Sequence, residues 1–303
     1  MNQKLVDIIA WWIPIKKLRD KFRAKFKEEN KTDKLSAIAI YIIDKCNFSC
    51  YGCSTLSNIH ENTYQDIDSF EKDLQILKKI TNVNYCHLTG GEPTLHENIV
   101  EFILLVRKYF PGCGMLMVTN GIGLEKKDSI FWETCRDNNV FISITPYPIK
   151  IKIDQLKEIF AKYHIGNNMV GDNMTDYILV ENGVKYSYNL NLDITGSQDI
   201  KTSHKNCLFQ CDSFVLKNGK LYKCSTPMIA DKLKKYFNIN IEISDKDFID
   251  IRKINDFNVK KYIKRINNFK DIPIPCCRYC KTPQRRVGPW RPSKRVVEEY
   301  IAE

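Results

Sequence analysis

The sequence predicts an α/β protein built on a parallel sheet, with a small cysteine-rich region toward its C-terminal end. Short apolar runs alternate with helical periodicity from about residue 36 to residue 163, the rhythm then degrades, and six of the twelve cysteines fall after residue 200. Repeated strand-helix alternation calls for parallel strands joined by right-handed crossovers, in an open or closed barrel.

The elements follow in order. "SAIAIYII" (36–43) reads as a buried strand, and "QDIDSFEKDLQILKKI" as a helix whose Ile67, Phe70, Leu74, Leu77 and Ile80 share one face. "YCHLTG" (85–90) is the next strand, "ENIVEFILLVRKYF" a helix, "MLMVTN" (115–120) a strand, "EKKDSIFWETCRDNN" a helix, and "VFISIT" (140–145) a strand. "IDQLKEIFAKY" is helical, and strands at 177–182 and 185–192 can form a hairpin around "ENGVK". "SFVLKNGKLYKC" is hairpin-like with Asn218-Gly219 at its turn, and a boundary is expected near residue 200. The basic, proline-punctuated stretch from Lys281 to Arg295 belongs on the surface.

Composition excludes several classes. With 303 residues, 43% hydrophobic and 27% charged, the balance is that of a globular protein. Clustered cysteines in a long chain without a cleavable signal pattern suit metal or cluster binding in a reducing cytoplasm better than a disulfide framework.

The net charge of +11 is concentrated near the start, where Lys16, Lys17, Arg19, Lys21, Arg23, Lys25 and Lys27 face only Asp20. The preceding "LVDIIAWWIPI" is too short to span a bilayer and carries its positive charge on the wrong side for a signal peptide. Trp11 and Trp12, with Leu18, Phe22 and Phe26 at helical spacing, make residues 1–26 an amphipathic element. It suits an anionic membrane surface or packing on the body of the protein equally well; nucleic acid is the weaker partner.

Chemistry concentrates at strand ends. Cys46, Cys50 and Cys53, in C-x3-C-x2-C spacing, follow the first strand directly. Three thiolates on one loop can hold three irons of a [4Fe-4S] cluster and leave the fourth open; a structural zinc would need a further ligand from elsewhere. "TGGEPTL" (89–95) follows the second strand and "VTNG" (118–121) the third, so three motifs face the same mouth.

Together these motifs resemble the radical S-adenosylmethionine (radical SAM) superfamily over roughly residues 36–195. The resemblance implies a partial (β/α)6 barrel in which Cys46, Cys50 and Cys53 hold a [4Fe-4S] cluster. S-adenosylmethionine would chelate the open iron, and its reductive cleavage would yield a 5'-deoxyadenosyl radical. Glu92 and the carbonyls around Gly90 and Gly91 would receive the ammonium group, while Asn120 and Ser143 match positions that bind the ribose or carboxylate. The family usually has an aromatic residue immediately before the third cysteine; here Gly52 stands there, so Phe48 or Tyr51 would have to meet the adenine or else pack the loop.

The second cysteine set resembles a twitch domain, the shorter relative of the SPASM domain, which binds one auxiliary [4Fe-4S] cluster. Cys207, Cys224, Cys277 and Cys280 are the preferred ligands with Cys211 and Cys276 as alternates, and a zinc ribbon-like site is the competing reading. Cys211, if free, could donate a hydrogen atom in an epimerase-type reaction. The domain reading is therefore 1–35 basic amphipathic segment, 36–200 radical SAM core, and 201–303 auxiliary-cluster region.

The chain is also similar to radical SAM proteins encoded beside bacterial capsule and lipopolysaccharide genes. That similarity implies a sugar nucleotide or lipid-linked glycan substrate, an oxidation or epimerisation, and an enzyme at the inner face of the cytoplasmic membrane. The family implies a flavodoxin- or ferredoxin-like electron donor. Peptide-modifying relatives usually add a leader-binding domain, and only 35 residues precede the first strand, which favours a small or membrane-presented substrate. A radical peptide maturase and a non-catalytic metal-binding nucleic-acid protein are the alternatives.

Overall fold

The computed structural model describes residues 34–59, 61–167, 180–181, 184–207, 213–269 and 271–302. The chain divides into two compact units, Met1–Lys34 and Leu35–Glu303. Residues 1–33, with the amphipathic segment, lie outside the described residues, and so does Cys211.

The strand β1 (Lys34–Ile43) is central, with Ile38, Ile40 and Ile42 at 1% exposure or less. Helix α1 (Ile67–Ile80) starts where the Asp66 carboxylate accepts the Ser69 N–H at 2.8 Å, and it buries Phe70, Leu74, Leu77 and Ile80 as its spacing predicts. It also buries Asp73, which takes a bidentate pair from Arg252 (Nε at 2.7 Å, Nη2 at 2.9 Å). Strand β2 (Asn82–Gly90), helix α2 (Ile99–Tyr109), strand β3 (Gly114–Thr119), helix α3 (Ser129–Asp137), strand β4 (Val140–Ile144) and helix α4 (Ile153–Tyr163) then alternate as expected. Helix α3 begins four residues later than its pattern suggests. Gly123 in the left-handed region (φ 75°) starts a separate single turn at Leu124–Lys126, and Asp128 caps the helix proper through the Phe131 N–H.

The α/β class with a parallel sheet holds, and its completion differs from six successive units. Among the described residues one sheet has the order β4-β3-β2-β1-β7-β8-β9, where β7 is Ser213–Lys217, β8 Lys220–Tyr222 and β9 Phe248–Asp250. The strands after α4, β5 (Val180–Glu181) and β6 (Val184–Asn189), do not extend it. They form the predicted antiparallel hairpin and join a second sheet of order β10-β6-β5 with β10 (Arg285–Pro289). At the β4 edge, among the described residues, the parallel pattern continues as a single bridge from Ile142 to Asn167. At the other edge β7 pairs in parallel with β1, Ala37 to Ser213 through Ile40 to Leu216. The sheet therefore crosses the boundary expected near residue 200. Helix α5 (Ile200–Lys205) lies there, and α6 (Ser225–Phe237) and α7 (Val259–Phe269) follow the β7-β8 hairpin. Asn218 and Gly219 form its turn, both with positive φ (48° and 72°), as a two-residue hairpin requires.

A buried ion cluster joins the two ends of this arrangement. Asp44, 2% exposed and one residue past β1, accepts Lys217 Nζ at 2.6 and 2.8 Å, Lys232 Nζ of α6 at 2.7 Å, and the Thr63 hydroxyl. Lys232 also donates to the Thr55 carbonyl at 2.8 Å. Burial pushes the Asp44 carboxyl up, but the two ammonium groups and their hydrogen bonds outweigh it and hold the group at about 2. Burial, with the neighbouring Lys217 charge, pulls Lys232 down to about 8 against the attraction of Asp44.

Removing the carboxylate leaves two ammonium groups buried without a counter-charge, so Asp44→Asn should cost about 3–5 kcal/mol, read from urea unfolding. The sign of the pH effect follows from the depressed folded value. Asp44 contributes stability above its unfolded pKa near 3.8, and that contribution is lost as pH falls toward about 2. The loss amounts to about 2 kcal/mol and should be absent from the variant.

Candidate functional site

The loop after β1 carries Cys46, Cys50 and Cys53, all free and half-buried. Burial, with Glu92, Cys53 and Cys50 close by, pushes the Cys46 thiol up to about 12, although the Phe48 N–H donates to its sulfur at 3.3 Å. Burial and Cys53 also raise Cys50, with Trp290 and Tyr147 acting the other way; the Cys50 thiol donates to the Tyr147 hydroxyl at 3.8 Å. Cys53 Sγ lies 3.2 Å from Thr55 Oγ1. The three thiols are thus gathered and largely desolvated, and binding a cation there must displace their protons.

The second motif runs alongside the first. Gly91 N–H donates to the Ile43 carbonyl at 2.8 Å and Glu92 N–H to the Lys45 carbonyl at 2.9 Å. A Cβ at Gly91 would sit 2.3 Å from the Lys45 oxygen, so only glycine lets the two loops touch; Gly90, at φ 155°, is held as closely against Ile43. Glu92 is 1% exposed. Its Oε1 accepts Thr94 N–H (3.1 Å), Thr94 Oγ1 (2.6 Å) and Thr119 Oγ1 (2.7 Å), while Oε2 accepts only the Asn120 N–H (2.8 Å). Burial raises its pKa against these four donors. Oε2 retains capacity for another donor. Asn120, 6% exposed, donates through Nδ2 to Asn47 Oδ1 at 2.7 Å and accepts the Ile122 N–H, so the third motif is tied to both others. Ser143, 5% exposed, pairs with Val118 in the β3-β4 register. The structure brings the three strand ends together, and Glu92 is the group that knots them.

The aromatic residues of the loop are engaged within the chain. Phe48 packs edge-on to Tyr147 (4.8 Å between centroids) and against Trp290 (5.8 Å), and Tyr147 packs on Trp290 (5.6 Å). Tyr51 lies under the Arg291 guanidinium at 4.2 Å. The C-terminal segment clasps the loop: Tyr51 N–H donates to the Arg291 carbonyl, Ser293 N–H to the Ser49 carbonyl, and Cys50 bridges to Pro292. Gly52 explains itself here. Its φ is 60°, and a Cβ would stand 1.9 Å from the Tyr188 carbonyl oxygen of β6 and 3.4 Å from that of Glu299. Backbone fills the space an aromatic side chain would need.

In the second set, burial raises the thiols of Cys224, Cys277 and Cys280, and Cys207 lies near enough to all three to add to that rise. Thr226 Oγ1 lies 3.8 Å from Cys280 Sγ, and Gln284 Nε2 donates to Cys207 Sγ at 3.6 Å. Cys276 is near them but 1% exposed, with its N–H on Asp247 Oδ1. Lys223, 8% exposed, sits among Cys277, Cys224 and Cys207, with its Nζ on the Ile272 carbonyl at 2.5 Å. A buried ammonium beside three thiols suits thiolates better than neutral thiols. Cys86, Cys113 and Cys135 are buried core residues.

Residues 40–166 match the family model described as Radical SAM superfamily. Over those residues the chain is similar to that superfamily. The chain is 27% identical over 92 residues to GTP 3',8-cyclase of Campylobacter fetus subsp. fetus (strain 82-40), covering 30% of this chain and 29% of that protein. It is 27% identical over 160 residues to GTP 3',8-cyclase of Trichodesmium erythraeum (strain IMS101), covering 52% and 44%. The chain thus spans less than half the length of these relatives. Among solved structures it is similar to BtrN in complex with AdoMet and 2-DOIA, at TM-score 0.47, 15% identity, and 82% and 93% coverage. Streptococcus suis SuiB bound to precursor peptide SuiA gives TM-score 0.38, 13% identity, and 88% and 75% coverage.

The family implies a [4Fe-4S] cluster and S-adenosylmethionine. The matched residues fit them in their own terms, with three free thiols on one loop, a spare acceptor at Glu92 Oε2, and Glu92 near enough to raise Cys46. Sequence reading missed Tyr147, Trp290, Asp44, Lys223 and Lys232. Tyr147 alone left a signal, since "TPYP" follows β4 as the other motifs follow their strands. No helix among the described residues is long and apolar enough to cross a membrane.

Gly52→Ala should lower stability by about 2 kcal/mol or more, because it combines a left-handed backbone with a main-chain overlap. It should also reduce iron retained after anaerobic reconstitution, read by iron analysis beside thermal unfolding.

Proposed function

We propose that the protein reductively cleaves S-adenosylmethionine and removes hydrogen from a small substrate, a sugar nucleotide or lipid-linked glycan intermediate of surface polysaccharide synthesis, with oxidation or epimerisation as the outcome. The observation that carries the radical SAM reading is the knot at Glu92, where the cysteine loop, the Gly-Gly-Glu turn and the Thr-Asn-Gly turn meet.

The cluster, when bound, supplies the electron for that cleavage. Cys46, Cys50 and Cys53 would hold it, and Glu92 Oε2 with the carbonyls around Gly90 and Gly91 would accept the ammonium group. Asn120 and Ser143 would contact the ribose or carboxylate. Phe48, Tyr147 and Trp290 would wall the loop from water on the Cys50 side. Tyr51 already carries Arg291, which leaves Phe48 the better candidate for the adenine.

Residues 201–303 would form a twitch-like region in which Cys207, Cys224, Cys277 and Cys280 hold one auxiliary [4Fe-4S] cluster, with Lys223 offsetting its negative charge. Four protein thiolates suit electron acceptance and hence net oxidation. An epimerase outcome would instead call on Cys211 as hydrogen donor. The matched relatives are named for a reaction of GTP, which makes a nucleotide-bearing molecule the first class to test. The electron donor would be flavodoxin- or ferredoxin-like, and residues 1–26 would rest the enzyme on the inner face of the cytoplasmic membrane.

Anaerobic reconstitution should give about eight irons per chain, and reductant should release 5'-deoxyadenosine in larger amount with the right UDP- or CDP-sugar. About four irons with one zinc would favour the ribbon reading of the second set, and no cleavage under any reductant would end the catalytic one.

A further inference from the structure

The aromatic residues beside Cys50 do more than cover it. Phe48, Tyr147 and Trp290 pack on one another, which a wall of rings requires, but two of the three also bring a polar end to the same sulfur. Tyr147 Oη lies 3.8 Å from Cys50 Sγ. The Trp290 Nε1–H is buried without a hydrogen-bond partner among the described residues, and the indole lies close enough to lower the Cys50 thiol against burial. An indole nitrogen can only donate, and a buried donor left unpaired is rare enough to call for an acceptor.

Backbone contacts set both side chains. Lys185 of β6 donates its N–H to the Pro146 carbonyl at 3.0 Å and accepts the Trp290 N–H at 2.8 Å, so one residue ties the turn that carries Tyr147 to the C-terminal segment. Cys50 in turn bridges to Pro292, two residues beyond Trp290. The rings of Tyr147 and Trp290 meet edge-on at 76°, with centroids 5.6 Å apart. The donors are therefore placed by the fold rather than by the thiol.

As a free thiol, Cys50 gives its own proton to Tyr147 Oη and offers the indole only a neutral sulfur. As a ligating thiolate it has no proton to give, so Tyr147 can turn its O–H toward the sulfur and Trp290 gains a charged acceptor. Hydrogen bonds to ligating sulfurs favour the state with more negative charge, and so raise the reduction potential of an iron-sulfur centre.

We infer that Tyr147 Oη and Trp290 Nε1 donate hydrogen bonds to the Cys50 thiolate and thereby ease reduction of the cluster held by the loop. Both are positioning residues that act through Cys50. This rests on the reading of Cys50 as a cluster ligand, and it assigns control of that cluster to two residues outside the three strand-end motifs.

The test is a redox titration of the anaerobically reconstituted full chain, monitored by electron paramagnetic resonance on the reduced-cluster signal that changes when S-adenosylmethionine is added. Tyr147→Phe and Trp290→Phe keep an aromatic ring and remove the donor. Each should retain the parent's iron content and make one-electron reduction about three-fold harder, and the double variant about ten-fold harder, a fall of about 59 mV. A water barrier alone predicts the opposite sign, because water admitted to the sulfurs stabilises the more highly charged reduced state and raises the potential. The inference is overturned if either variant takes up the cluster and shows the parent's potential or a higher one. Should a variant lose iron, the parent protein carrying nitrogen-15-labelled tryptophan decides. Spin-echo modulation from an indole nitrogen coupled to the reduced cluster supports the donor, and its absence overturns it. A parent with no signal that responds to S-adenosylmethionine removes the cluster reading and the inference with it, whereas a responsive signal whose potential the variants leave in place removes the inference alone.

Discussion

Everything near the cysteine loop depends on Asp44. It sits at the end of β1, two residues before Cys46, and its carboxylate is the counter-charge of both Lys217 and Lys232. Lys217 ends the strand that pairs with β1, and Lys232 comes from the middle of α6 and reaches over to the Thr55 carbonyl beyond Cys53. One desolvated carboxylate therefore fixes where the loop leaves the sheet, where it returns, and which C-terminal elements lie against it. Such a cluster adds little net stability compared with apolar packing, but it penalises every arrangement that separates its members. That is what a loop of three thiols needs, because the thiols repel one another once ionised.

The C-terminal segment supplies the complementary constraint. Residues 290–293 run along the cysteine loop through main-chain hydrogen bonds, and β6 presses its Tyr188 carbonyl into the place a side chain at position 52 would occupy. The loop is thus held on one side by a charge cluster and on the other by backbone. Its glycine is the consequence of that second contact. A side chain there and the clasp are mutually exclusive, and this chain has the clasp.

How much was legible in the sequence depended on range. The β1 to α4 alternation was readable because each strand and helix carries its own period, and the β7-β8 turn because Asn218-Gly219 has a local conformational signature. The three strand-end motifs were readable because their residue types and order are distinctive and local to each strand end. What escaped was non-local. β7 beside β1, β6 paired with β10, Trp290 beside Tyr147, and Asp44 between two lysines more than 170 residues away are contacts that no window of sequence contains. A lone Asp or Lys carries no mark of its burial, and the start of α3 was misplaced because Gly123 interrupts a continuous polar-apolar pattern.

Helix α6 relates the two thiol sets. Cys224 occupies its N-cap position in the second set, Lys223 lies one residue before it among the same thiols, and Lys232 near its middle is buried beside Asp44 and within the influence of Cys53. Eight residues separate Cys224 from Lys232, about 12 Å of helix. A single rigid element thus places one buried ammonium by each set and fixes the spacing between them. Because anionic centres in a low-dielectric interior need nearby positive charge, the paired lysines make the two sets electrostatically alike while the helix keeps them apart. A disturbance of α6 would be felt at both, which is why the C-terminal half and the β1 loop are better regarded as one structural unit than as a core with an appendage.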